Sequence, residues 1–138
     1  MVISEFANEF LNKLVADEDK RYYTPDRKKM RWTVDKLWFD MILDGTKTIE
    51  GRLPKYGVAE SEIGDMVLIK CKETGRYCNC VIRQKYWYPS CQEYLKYHMH
   101  AALPHVQDIE LGITIYRKYI SEKTEKELGI FAIEIKLT

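Results

Sequence analysis

Apolar residues recur at helical spacing from the start of the chain. Phe6, Phe10, Leu11 and Leu14 fall on one face, which predicts a helix over residues 4–16. Residues 17–30 are polar, contain Pro25 and read as a linker. Arg31 to Val34 is a short strand. Asp35 suits an N-cap, Leu37, Trp38, Met41 and Ile42 form an apolar stripe, and Gly45 suits the position just past a helix end, so residues 36–44 are predicted helical. Thr46 to Leu53 reads as a strand, residues 54–65 as a loop, and Met66 to Cys71 as a strand. Thr74-Gly75 marks a tight turn, from which Tyr77 to Tyr86 returns as a hairpin partner. A two-residue turn there sets Cys71 opposite Cys78.

Ser90 with Glu93 three residues on is a capping box, opening a helix through about Tyr97. Pro104 interrupts the next stretch. Residues 108–119 are predicted helical around Ile109, Ile113 and Tyr116, and Ser121 to Leu128 is a charged helical segment. Gly129 to Leu137 closes the chain as a strand. Five or six strands with helices between the early and late ones are neither a repeated strand–helix unit nor a helical bundle. An early strand and the last strand could close such a set into a barrel. The pattern predicts an α+β fold, a small mixed β-barrel with peripheral helices.

With 138 residues and no internal repeat, the chain reads as one domain at 31–138 with an added helix and basic linker at 1–30. Charge is balanced overall, at 22 bases and 21 acids, which excludes a chain that holds nucleic acid by bulk positive charge. The distribution is uneven. Residues 1–19 sum to −4, residues 20–36 to +5, and the rest to zero. The basic segment interleaves Lys20, Arg21, Arg27, Lys28, Lys29 and Arg31 with Tyr22, Tyr23 and Trp32, a composition that can track a phosphate backbone or simply stay solvated. No signal-peptide core or membrane-length apolar run is seen, so the expectation is a soluble, cytoplasmic protein. Cys71, Cys78, Cys80 and Cys91 are expected as free thiols, and no metal or other cofactor is expected. His98, His100 and His105 are expected at the surface near a loop.

The densest group of chemically capable residues is Gly45-Thr46-Lys47-Thr48-Ile49-Glu50-Gly51-Arg52. On a strand, Glu50 and Arg52 share a face while Ile49 and Leu53 turn to a core. Lys47 at the turn can reach the same space. Taken alone, the spacing also fits an exposed Glu–Arg pair, worth about 0–1 kcal/mol.

The run from Leu37 to Arg52 resembles the opening signature of the ASCH domain (activating signal cointegrator homology), an apolar helix followed by G-x-K-x-x-E-x-R. Later pieces resemble the E-G-R branch of that family in the same order: Ile63-Gly64-Asp65, the Y-x-S-x-x-x-x-L segment from Tyr88 to Leu95, the G-x-x-x-Y-R-x-Y-x-S run from Gly112 to Ser121, and the final strand. The resemblance implies a PUA-like pseudo-barrel and RNA or nucleotide binding in a cleft. Lys47, Glu50 and Arg52 would face that cleft, with Tyr116 and Tyr119 nearby. It also implies an alternative, an RNA-directed hydrolase. Ribonuclease chemistry would use Lys47, Glu50 and Arg52, with Tyr116 or Tyr119 as proton donor. Similar acetylcytidine amidohydrolases carry a Thr three residues after the Lys, where this chain has Glu50, and a downstream Glu for which Glu93 is the candidate. Trp32, Trp87, Lys28 and Lys29 are further candidate ligand contacts, with Trp87 equally readable as core packing. Trp38 is expected in the core. A third reading is a protein–protein adaptor, or self-association, through residues 4–16.

Overall fold

The computed structural model describes residues 29–138, so the expected helix at 4–16, the linker as far as residue 28 and the basic side chains up to Lys28 lie outside the described residues, while Lys29 and Met30, expected in the linker, are strand, with Met30 buried in a core. The elements are β1 (Lys29–Val34), α1 (Lys36–Asp44), β2 (Ile49–Arg52), β3 (Met66–Cys71), β4 (Tyr77–Tyr88), α2 (Cys91–Ala102), α3 (Ile109–Arg117), α4 (Glu122–Leu128) and β5 (Ile130–Leu137). The five strands form one sheet in the order β1-β3-β4-β5-β2. Only β1 and β3 run parallel; the other neighbours are antiparallel. The fold is thus α+β, a mixed half-barrel with helices outside it. The early strand β2 does pair with the last strand β5, as the pattern suggested.

The interior strand β5 explains why there are two cores. Ile130 to Ile133 are all buried, because β5 has neighbours on both sides and packing on both faces. Phe131, Ile133 and Ile135 join Trp32, Val34, Phe39, Val67, Ile69 and Ile82 in one core. Ile130 and Ala132 join Ile49, Tyr94, Leu95 and Tyr116 in a second core beneath α2 and α3. Directly opposed residues of an antiparallel pair share a face. Glu50 lies opposite Ile133 and Arg52 opposite Phe131, so both charged residues point to the concave face that holds the first core. Ile49 and Gly51 face the second. The expected alternation holds, but the polar side of β2 is the inside of the half-barrel.

Three local readings change. Thr46 to Thr48 are not strand. The Lys47 amide donates to Met41 O at 3.0 Å and the Thr48 amide to Ala101 O at 3.0 Å, which ties this link to α1 and α2. The β3–β4 turn is longer than two residues. The Cys71 amide donates to Arg76 O at 2.8 Å, Gly75 (φ +74°) donates to Cys71 O, and Cys78 lies opposite Ile69. His98 is half-buried in α2, with Nε2 2.7 Å from the Tyr88 hydroxyl and its ring stacked on Tyr86 at 5.3 Å. Its ring packs α2 on the end of β4.

Candidate functional site

The two edge strands of the sheet, β1 and β2, do not pair, and a cleft of about 550 Å³ opens where they approach. Its floor is built by the short run after Gly45. Gly45 takes φ +85° and ends α1 by donating to Ile42 O, a conformation that favours glycine. The chain then turns so that Lys47 buries its side chain beneath the sheet edge.

Lys47 is 3% exposed. Its Nζ lies 2.6 Å from Ala102 O, 2.7 Å from Ile49 O and 3.2 Å from Glu50 Oε1. An ammonium has three protons, so all of its donors are committed inside the protein. Ala102 is the last residue of α2, where the free carbonyl and the negative end of the helix dipole favour a cation. Burial nonetheless holds the Lys47 amine below its ordinary range, with Glu50 acting in the opposite sense.

Glu50 is 7% exposed and stands between two cations. Its Oε2 accepts from Arg52 Nη2 at 2.8 Å and Nε at 3.1 Å. Burial pushes the carboxyl up, but Lys47 and Arg52 together outweigh it and hold the group below the ordinary carboxylate range. Arg52 also donates from Nη2 to Thr33 O at 3.0 Å, across the open seam, and stacks over the Trp32 ring at 5.0 Å. Among the described residues its Nη1 has no hydrogen-bond partner.

The walls add Trp32, Trp38, Tyr116 and Tyr119. Trp38, expected in the core, is half-buried between the two cores and lines the cleft, 5.8 Å from Lys47 Nζ. Tyr116 and Tyr94 share a hydroxyl–hydroxyl bond of 2.6 Å in a buried edge-to-face pair. Burial pushes the Tyr116 phenol far above its ordinary range. Tyr119 donates to the Asp35 carboxylate, joining a residue two positions past α3 to the residue just before α1. Asp35 thus spends its side chain on Tyr119 and makes no side-chain cap on α1.

Of the residues singled out from sequence, Lys47, Glu50, Arg52, Trp32, Tyr116 and Tyr119 line this one cleft. Trp87 does not. Its Nε1 donates to Leu128 O at 3.1 Å, and its ring lies so close to Gly129 that a Cβ there would fall 2.4 Å from it. Lys29 opens β1, while Lys28 lies outside the described residues. Glu93 sits in the first turn of α2, its amide capped by Ser90 Oγ at 3.1 Å, and is not among the cleft residues. Sequence reasoning missed Lys55, Tyr56 and Lys72, which also line the cleft. They come from loops, whose placement no periodicity reports.

Among the described residues no group of three or more His, Cys, Asp or Glu could hold a metal ion, and no helix is long and apolar enough to cross a membrane. All four cysteines are free and buried, and burial pushes the Cys80 thiol up to about 12.

No protein-family model matches the chain, and no curated protein matches it. Solved structures do. The hypothetical protein PH0355 is 31% identical, with 79% of this chain and 100% of that one covered and a TM-score of 0.69. Protein PF0455 from Pyrococcus furiosus is 29% identical over 79% of this chain and 96% of that one, with a TM-score of 0.63. A mutant of the ZmASCH protein from Zymomonas mobilis is 14% identical over 82% of this chain and 70% of that one, with a TM-score of 0.61. The half-barrel is therefore the ASCH-domain fold, and the chain belongs to one family with the hypothetical protein PH0355.

Proposed function

We propose that this protein binds RNA or a nucleotide in the seam cleft. The carrying observation is the charge of the cleft lining. Arg31, Lys47, Arg52, Lys55 and Lys72 gather there against Asp35 and Glu50, in a chain whose net charge is only +1. A low-dielectric cleft lined mainly by one sign of charge concentrates the opposite ion. The half-buried Trp38 and Tyr56 and the exposed Tyr119 share the same walls, supplying faces for an unstacked base at about 1–3 kcal/mol per base. The volume fits a ligand of one or two nucleotide units within the usual range of about 300–1,000 Å³ for small-molecule sites.

The two tiers of charge divide the work. Lys47 and Glu50 neutralise each other in the floor and hold Arg52 in place. Arg52 offers Nη1, and Arg31, Lys55 and Lys72 offer their heads, to ligand phosphate or carbonyl oxygens. Binding is favoured over turnover because the groups that a hydrolase would use are already committed. A carboxylate held between two cations is a weak base, an ammonium whose three protons point to internal acceptors presents none to a ligand, and burial makes the Tyr116 phenol a weak acid.

Fluorescence polarisation with short single-stranded RNA tests the reading, alongside incubation with acetylcytidine. Saturable RNA binding that weakens with salt and is lost in Arg52→Ala, with no turnover, is expected. Turnover of either substrate that disappears in Lys47→Ala and Glu50→Ala would replace this reading with the hydrolase.

A further inference from the structure

The cleft wall that carries Lys55, Tyr56 and Val58 has no helix or strand of its own. From Leu53 to Asp65 the chain turns on short local bonds, such as Val58 N to Lys55 O at 3.0 Å and Asp65 N to Glu62 O at 3.0 Å. Its far end docks on β4, where Gly64 N donates to Ile82 O at 2.8 Å and Ile82 N to Asp65 O at 2.9 Å. Its middle is held by Val58, buried in the first core, by Ser61 Oγ donating to Val58 O at 2.6 Å, and by a lysine. Lys85, also on β4, sets its Nζ 2.7 Å from Val58 O, 2.8 Å from Ser61 O and 3.3 Å from Ala59 O. The same ammonium lies 4.5 Å from the centre of the Phe131 ring. Lys85 is not itself part of the cleft lining.

We propose that Lys85 is a positioning residue for the cleft: by gathering three carbonyls of one loop it sets the wall that presents Lys55 and Tyr56 to a ligand it never touches. The proposal rests on the cleft being the ligand site. Its physical content is pre-organisation. A loop without regular structure samples many conformations, and a wall ordered in advance spares the ligand that cost.

The clamp has a titratable signature. Glu60, Asp65 and Glu62, all from the same loop, favour the charged amine, but burial outweighs them and brings Lys85 down to about 8 from an ordinary 10.5. A group that holds its proton less tightly in the clamped state than in water favours the clamped state as pH rises between those two values.

Two variants test this, Lys85→Met and Lys85→Arg. The first readout is trypsin cleavage after Lys55 in protein without ligand; the second is affinity for short single-stranded RNA. Lys85→Met is expected to be cleaved at Lys55 about fivefold faster and to bind RNA about fivefold more weakly, with Lys85→Arg recovering most of both. The cleavage ratio of Lys85→Met to wild type should widen from about pH 7 to about pH 9. Equal cleavage rates would overturn the clamp, and a loosened loop with unchanged RNA affinity would overturn the positioning role. Failure of the wild type to bind RNA would overturn the RNA reading alone, since the cleavage ratio judges the clamp without ligand. If Lys85→Met does not fold, NMR of the wild-type Lys85 ammonium decides: protons that exchange as fast as those of an exposed lysine, with no contact to the Val58 and Ser61 carbonyls, would sink the proposal.

Discussion

Arg52 and Thr33 lie on the two outermost strands of one sheet, and the Arg52 guanidinium donates to the Thr33 carbonyl at 3.0 Å. The half-barrel is thus bridged at its open seam by a side chain instead of a strand pair. The same guanidinium holds Glu50 by two nitrogens and covers Trp32. Lysine can keep the charge but not three such directions at once. Arg52→Lys should therefore weaken RNA binding about tenfold while leaving the circular dichroism spectrum unchanged, a split that titration calorimetry of the folded variant would read.

Glu50 is the one anion between two cations in the floor, so neutralising it leaves buried charge uncompensated. Glu50→Gln should cost about 3 kcal/mol at neutral pH in urea unfolding. Lys47→Met with Glu50→Gln together should cost less than the two single changes added, because neither charge is then left alone. The folded carboxyl is held below its ordinary value of 4.5, so its contribution is complete above that value. It is lost as pH falls through the lower folded value. The stability gap between wild type and Glu50→Gln should accordingly close in acid.

Gly51 faces the second core, where an added Cβ would meet the Tyr94 ring and hydroxyl at 2.8 Å. The ring is fully buried and cannot swing aside freely. Gly51→Ala should destabilise by about 2 kcal/mol, through displacement of Tyr94 and loss of its bond to Tyr116. Thermal melts that match the wild type would show that the second core yields more easily than its packing implies.

The Asp35–Tyr119 contact spans the cleft mouth. Burial first, and then the bond to the Asp35 carboxylate, push the Tyr119 phenol up to about 12. Removing the anion should lower it toward the ordinary value of 10.0. Ultraviolet titration of Asp35→Asn should show one tyrosine ionising earlier than in the wild type.

Much of the fold is legible in the sequence because its signals are local. Trp38, Met41 and Ile42 with Gly45 after them mark α1, although Leu37 of the expected stripe is exposed and Phe39, outside it, is buried beside Ile42, and Ser90 with Glu93 marks the start of α2. The period of β2 places Glu50 and Arg52 on one face. What local pattern cannot report is which face is inside. That depends on β2 pairing with β5, a contact between strands about eighty residues apart in sequence. The same limit hid Lys55, Tyr56 and Lys72, which loops bring to the cleft. It also left Trp87 ambiguous, since only the fold sets its ring against Gly129. Lys47 was legible as a residue of the site but not in its role, because the acceptors of its ammonium include the end of a helix that begins over forty residues later.

The three tryptophans allow the central claim to be tested in one spectrum. Trp32 and Trp38 line the seam cleft, and Trp87 is held against Leu128 and Gly129 elsewhere. In a proton–nitrogen correlation spectrum titrated with short single-stranded RNA, the Trp32 and Trp38 indole signals and the Gly51 amide should shift together and saturably, while the Trp87 indole stays in place. Shifts centred on Trp87 with the other two indoles unmoved, or no shifts at all at saturating RNA, would contradict a ligand site at the seam.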